Sequence, residues 1–449
     1  MSQMASRAKR VACITVLALV ASGAALLVAC AESATAGAAE DDGGSSAPPV
    51  MDSGTAEDGA IAADADADAS TPVSKGCSRD GFCLDELPST QIPIGIWGSK
   101  DDDVWAVTER SIYHFDGTSW TTSLVLPTDG SRIRAIYGVA ADDVWVVGEG
   151  ASQVGVDAGL DGGAREALVL HYASRDGAAP AWRSLPGFTG APSLVDAWRT
   201  ADGSVWFLAD ELVFRTRGEE AGTVADVTLV PFQLGTVPCG PTTTCRINRV
   251  AWLSIAAFGD EIWVGGYNRN SLGVRDLHYP IVARYAGAQW SVISLLPGGE
   301  NGLPIRRLPT VPVGEARFRV PRDGTRRAWI HIAASGLSPE DAFVVDVGED
   351  GRFTAVAGHT RASWLSCRPL AVFAPKADAA WLTDGYGVCR WDGTGTTLSS
   401  ITIDAPLLRA RAVWSGASTT WVVGERQLVM GAAPNEGIGF ILRRPGGLP

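Results

Sequence analysis

The chain has 449 residues, 46% of them hydrophobic, with 52 Gly, 25 Pro and a net charge of −13. That is too long for one small domain, and it fits one large all-β domain with appendages, in which frequent turns separate short strands. Residues 1–29 carry +3 from Arg7, Lys9 and Arg10, and residues 31–75 carry −9 from ten acids against Lys75. This leaves −7 for 76–449, so no positive field would draw in a duplex, and nucleic acid is excluded as a partner.

Taken in chain order, residues 1–29 have a basic start followed by an apolar run from Val11 to Val28, the layout of a secretory signal. A membrane-spanning anchor is the alternative. The segment Leu27-Val28-Ala29-Cys30 resembles the bacterial lipobox, in which small residues precede a Cys that is acylated and becomes the new N-terminus. The resemblance implies a diacylglycerol thioether and an N-acyl chain on Cys30 and attachment to the outer membrane, at its periplasmic face or the cell surface. No other cofactor is expected.

Residues 30–75 are Ala, Asp, Glu, Gly, Ser and Thr with almost no large apolar side chain, so they are expected to form an acidic disordered tether. Asp64, Asp66 and Asp68 alternate as in a calcium loop, but the Gly and bidentate Glu of an EF-hand are missing.

From residue 76 a repeat sets in. The stretch "IWGSKDDDVWAV" (96–107) places Trp97 and Trp105 eight residues apart. Copies follow at Tyr137 and Trp145, Trp198 and Trp206, Ile255 and Trp263, Phe373 and Trp381, and, at spacing seven, Trp414 and Trp421. A degenerate copy places Phe343 in the second slot. Each unit continues into an aromatic, a Gly turn and often a closing Trp, as in "YHFDGTSW". A period of about 40 with four short strands per unit is the signature of a β-propeller blade. The expected fold is therefore all-β, a β-propeller of four-stranded antiparallel blades spanning 76–449. Seven blades are counted, starting near 92, 133, 194, 247, 327, 370 and 410. The double gap from Trp263 to Phe343 leaves an eighth possible. It is read as an insertion at about 298–326, and a second is placed at 150–167. The Trp are expected to be core, and the acids before the second slot (Asp102, Asp103, Asp142, Asp143, Asp260) to be turn residues.

Between Ile92 and Arg443 the chain resembles the Trp-rich repeats, WG-x4-DVW-x-VG followed by WDG-x-x-W, of secreted and lipid-anchored β-propellers in myxobacteria and related groups. The resemblance implies the fold and leaves the ligand open, because propellers host many activities.

Six Cys lie past the lipobox: Cys77, Cys83, Cys239, Cys245, Cys367 and Cys389. In an oxidising compartment an even count suggests the bridges 77–83, 239–245 and 367–389, with zinc as the alternative. The stretch 305–327 carries seven Arg against Glu315 and Asp323. Its Arg306, Arg307, Arg317, Arg319 and Arg322 are the candidate anion-binding residues, on a loop or hairpin at one rim. No nucleophile elbow, H-E-x-x-H or phosphate loop occurs, so no catalytic or metal-ligating set is assigned. The functional expectation is a monomeric binding or scaffold module for protein or glycan at the bacterial envelope. A glycoside hydrolase or lyase with a site on the axis is the alternative.

Overall fold

The computed structural model describes residues 76–446 apart from internal stretches, the longest being 153–164, 296–313, 360–370 and 427–437. The segment 1–75, with Cys30 and the tether, lies outside the described residues. Among the described residues no helix is long and apolar enough to cross a membrane.

Seven four-stranded antiparallel sheets make the blades of a β-propeller. Strands are lettered A to D in each blade. Strand A begins at Pro93–Lys100, Arg132–Ala140, Leu194–Arg199, Arg249–Phe258, Gly314–Arg319, Ala371–Lys376 and Leu408–Ser415 for blades 1 to 7. The A strands of blades 1 to 5 neighbour one another in order around the axis, as do those of blades 6, 7 and 1. Strand B of blade 1, Asp103–Thr108, is buried at every position, as are Val205–Ala209 in blade 3 and Ala379–Thr383 in blade 6. A strand covered on both faces reads as a continuous apolar run, which is how "VWAV" and "VWFLA" appear. The outermost strand Trp120–Val125 is mostly exposed after its first residue.

The eight-residue spacing has a geometric origin. First-slot and second-slot aromatics are cross-strand partners on the A–B hairpin: Trp97 with Trp105, Tyr137 with Trp145, Trp198 with Trp206, Phe373 with Trp381 and Trp414 with Trp421. In blade 4 the partner of Trp263 is Ala256, one residue on from the expected Ile255.

Each second-slot Trp then packs on the next blade. Trp105 meets Tyr172 and Trp182 of blade 2, Trp145 meets Phe207 of blade 3, and Trp206 meets Tyr285 of blade 4. Trp263 stacks on Phe318 of blade 5 with ring centroids 5.2 Å apart, and Trp421 meets Phe115 of blade 1. An isolated antiparallel sheet of this size cannot cover its faces, and these bulky rings fill the wedge between sheets.

Two expectations are corrected in blade 5. Residues 314–326 are not an insertion, because Gly314–Arg319 is the innermost strand, paired to Arg327–Ala334. Phe343 lies in strand C, Asp341–Val347, and the second slot is held by Trp329, opposite Arg319. The pattern was hidden because Arg319 stands where other blades place an aromatic. The alternation of buried Ala316, Phe318 and Val320 with half-buried Arg317 and Arg319 is nevertheless that of a strand. With blade 5 so placed, no eighth blade is needed. The stretch read as a 150–167 insertion begins and ends as strand, in Asp143–Ser152 and Arg165–Ala173.

The ring closes through the N-terminal end of the domain. Strand D of blade 7 is Cys83–Asp85, paired with the C-terminal strand Ile438–Pro445. Phe82, fully buried, sits edge-on to Trp381 of blade 6 and under the guanidinium of Arg444. The disulfide Cys77–Cys83 braces this latch. Asp101 of blade 1 accepts hydrogen bonds from the backbone N–H (2.9 Å) and hydroxyl (2.8 Å) of Ser418 in blade 7. Cys389 is also disulfide-bonded, whereas Cys367 and Cys239 lie outside the described residues. Cys245 is in a short strand opposite Val237.

Candidate functional site

The A strands enclose an axial channel of about 280 Å³ lined by all seven blades. Two layers of side chains define it. The first comes from a recurring β-bulge in strand A. The A–B register shifts around Ile94, Arg134, Val195, Leu253 and Arg411 in blades 1, 2, 3, 4 and 7, and all five residues line the channel. A bulge re-aims one side chain without breaking the sheet. It also explains the Gly of "WVVGE". A Cβ on Gly148 would lie 1.9 Å from the Arg132 carbonyl oxygen, and one on Gly424 would lie 2.0 Å from that of Arg409. The following acid returns to the bulge. Glu149 accepts from the Arg134 Nε at 3.0 Å, and the fully buried Glu425 is held by Arg411 at 2.9 Å and Arg409 at 3.5 Å.

The second layer is an aromatic collar three residues further along strand A. Phe373, Trp97, Tyr137 and Trp198 come from blades 6, 1, 2 and 3 and line the channel, and Trp414 of blade 7 packs beside them against Gly98. Gly98 and Gly138 are where neighbouring rings cross: a Cβ there would lie 2.7 Å from Trp414 and 2.5 Å from Trp97. Trp97 and Trp414 are buried, while Phe373, Tyr137 and Trp198 stay half-buried. Blade 5 supplies Arg319, which pairs with Asp196 of blade 3 at 2.8 Å. Asp196 also accepts from the Ile255 N–H of blade 4 at 3.2 Å, so one carboxylate ties three blades together. Arg317 and Arg319 are thus channel residues rather than rim residues. Arg306, Arg307 and Arg322 lie outside the described residues.

Behind the channel, the acids of the "DVW" motif are not only turn residues. Asp103 and Asp143 open strand B, two residues before the Trp. They hold the imidazole that stands opposite that Trp on strand C, His114 at 2.6 Å and His171 at 3.0 Å, and these rings stack on Trp105 and Trp145 at 4.0 and 3.8 Å. Blades 3 and 4 use Arg in the same place: Arg215 lies over Trp206 and pairs with Asp202, and Arg284 lies over Trp263 and pairs with Glu261. Burial pushes the Asp103 carboxyl up, but hydrogen bonds from His114 and Ser99 outweigh it and hold the group below the ordinary carboxylate range. The repeat positions of His114 and His171 were the only sequence signal of this acid–cation–Trp unit. Asx-type turn chemistry occurs at a place not expected from the sequence, the "DGT" turn between strands C and D. Asp116 accepts from the N–H groups of Thr118 and Ser119, and Asp392 does the same for Thr394 and Gly395. Hydrogen bonds hold both carboxyls down at about 2, led by the Thr118 hydroxyl for Asp116 and by the Thr394 N–H for Asp392.

Among the described residues lining the channel, Asp196 is the only carboxylate, and no group of three or more His, Cys, Asp or Glu is placed to hold a metal ion.

No protein-family model matches the chain. No curated protein sequence matches it either. Among solved structures the chain is similar to YCF48 from Cyanidioschyzon merolae at 12% identity and a TM-score of 0.52, over 81% of this chain and 98% of that one. It is also similar to a streptogramin B lyase (14%, TM-score 0.45, 80% and 96% covered). A third similar structure is the extracellular domain of a hybrid two-component system, BT4673, from B. thetaiotaomicron (11%, TM-score 0.46, 82% and 43% covered). At these identities the likeness speaks to the propeller fold alone.

Proposed function

We propose that this chain is a lipid-anchored extracytoplasmic β-propeller acting as a binding or scaffold module for a protein or glycan at the bacterial envelope, with the partner seated on the aromatic collar of the axial channel. One observation carries the reading: Phe373, Tyr137 and Trp198 converge half-buried around the axis beside the Arg319–Asp196 pair. Rigid aromatic faces next to fixed polar groups are what a recognition site needs, because they give contact area at low entropic cost. A glycosidase needs two carboxylates about 5–9 Å apart, and the single carboxylate among the described lining residues is committed to Arg319. The lipobox at Leu27–Cys30 and the 45-residue acidic stretch after it supply the anchor and the reach, about 35–40 Å for a flexible coil of that length.

Two arms test this. Metabolic palmitate should label the chain and fail to label Cys30→Ser. Retention of purified chain on isolated envelope should fall at least tenfold for Trp198→Ala, with the melting temperature measured alongside. Palmitate on the Ser variant refutes the anchor. Wild-type retention by a folded Trp198→Ala chain refutes the collar.

A further inference from the structure

Among the described residues, the acid–cation–Trp unit behind the channel keeps its acid in blades 1 to 4 and lacks it in blades 6 and 7. In blades 1 to 4 the cation stands opposite the second-slot Trp on strand C, as His114, His171, Arg215 and Arg284. Each meets a carboxylate from strand B or the turn before it: Asp103, Asp143, Asp202 and Glu261. Blade 5 reverses the charges, since Arg327, two residues before Trp329, pairs with Asp346 of strand C at 2.9 Å. In blade 6 the residue opposite Trp381 is again a cation, Arg390, but the position two before the Trp is Ala379. In blade 7 the cation is Arg443, opposite Trp421, and the corresponding position is Thr419.

The boundary between blades 6 and 7 gathers two guanidinium groups around one ring. Residues directly opposite on an antiparallel pair point to the same face, so Arg390 shares the face on which Trp381 meets Phe82 of the blade 7 latch. Arg444, on strand C of blade 7, reaches that ring from across the boundary. Its guanidinium carbon is 5.7 Å from the Trp381 centroid and 5.6 Å from that of Phe82. Both arginines are half-buried. Neither makes an ion pair among the described residues, and the Arg390 Nε is shielded from water with no hydrogen-bond partner. Asp378, the acid nearest to Ala379 in the chain, is exposed beside the C–D turn at Gly393 and is in no ion pair with either arginine.

We infer that this boundary is a carboxylate-binding site, in which an external carboxylate takes the place beside Arg390 that an Asp or Glu fills in blades 1 to 4, with Arg444 as the second donor. Two guanidinium groups at one ring repel each other unless an anion lies with them. A buried donor without a partner marks where an oxygen of that anion belongs. Planar guanidinium forks match a carboxylate bidentately, and the fold uses this anion at the equivalent place in its other blades. Trp381 and Phe82, both buried, make the base of the site apolar, which strengthens a charge-assisted hydrogen bond there. A free small acid and an acidic side chain of a protein share this chemistry. The site uses none of the collar residues Phe373, Tyr137 and Trp198, so it stands or falls apart from the collar reading.

The test is titration of the full chain in detergent, at fixed ionic strength, followed by saturation-transfer NMR of the ligand. The probes are propanoate, a capped Gly-Glu-Gly peptide and, as the uncharged control, propan-1-ol; inorganic phosphate is scored by displacement of propanoate. Propanoate or the peptide should bind wild type at least tenfold more tightly than propan-1-ol, and more tightly than phosphate. The tighter of the two assigns the source, a free acid or a protein side chain. Arg390→Gln should weaken that binding at least tenfold. Ala379→Asp should do the same, because it supplies the acid from within, and it should melt above Ala379→Asn, whose buried amide gains no ion pair. Absence of carboxylate binding to wild type, equal binding of propan-1-ol, or tighter binding of phosphate would each overturn the assignment. So would wild-type affinity in a folded Arg390→Gln or Ala379→Asp chain, or an Asp variant that melts no higher than the Asn one.

Discussion

Replacing Trp145 with Ala tests the packing logic of the ring at one joint. Trp145 is 2% exposed, stacks on His171 at 3.8 Å and 15°, and meets Phe207 of blade 3 edge-on at 5.7 Å. A buried aromatic of this kind removes roughly 150–250 Å² from water, worth about 4–6 kcal/mol at about 25 cal/mol/Å². Ala retains part of that, and the neighbours relax partly into the gap, so the expected loss is about 3–5 kcal/mol. The unfolding entropy of a domain of about 370 residues is about 0.8 kcal/mol/K, so the melting temperature should drop by about 5 °C. Phe at 145 should recover more than half of that, because it keeps a ring against Phe207 while losing the N–H bond to Asp143. Differential scanning calorimetry measures both. A melting temperature within 1 °C of wild type for the Ala variant would show that this ring does not carry the blade 2–blade 3 joint.

The remaining predictions touch other joints. Arg319→Ser should destabilise by about 1–3 kcal/mol, read by chemical denaturation, because it strands the part-buried Asp196 carboxylate that ties blades 3, 4 and 5; an unchanged midpoint would make that ion pair incidental. Gly148→Ala should cost more than about 3 kcal/mol or abolish folding, since its Cβ has no room against the Arg132 carbonyl oxygen; a soluble variant with wild-type stability would mean the strand A bulge is not fixed. Reduction of Cys77–Cys83 should lower stability by about 2 kcal/mol, the chain-entropy value for so small a loop, and should expose blade 7 to protease before the other blades; uniform digestion would contradict the latch. Asp116 and Asp392 have folded pKa values of about 2, below the ordinary range near 3.9, so the stability they add is complete above about pH 4 and is lost as pH falls towards 2. The Asp116→Asn, Asp392→Asn double variant should therefore show a shallower loss of melting temperature across that window, and equal slopes would remove these turns from the acid response.

How far the sequence carried the fold differs blade by blade. The Trp pairs at spacing eight were legible because an A–B hairpin with a fixed turn places both rings opposite one another, as Trp97 and Trp105 show. Blade 5 was misphased because its channel position holds Arg319 and its hairpin spans ten residues from there to Trp329, which removes both the residue type and the spacing of the repeat. The latch strand Cys83–Asp85 is three residues long and pairs with the far end of the chain, so no local pattern could announce it. The channel was less visible still. The bulge residues share a position but not one chemistry, since Ile94, Val195 and Leu253 are aliphatic while Arg134 and Arg411 each reach a Glu.

The central claim, that this anchored propeller receives its partner on the collar, is tested most directly by site-specific photo-crosslinking in the native envelope. A photoreactive residue replaces Trp198 at the collar in one strain, and in a second it replaces Leu229, which is 47% exposed on the outermost strand of the same blade. The account predicts a discrete crosslinked adduct from position 198 that is absent from position 229. Equal crosslinking from both positions, or adducts from 229 alone, would contradict it.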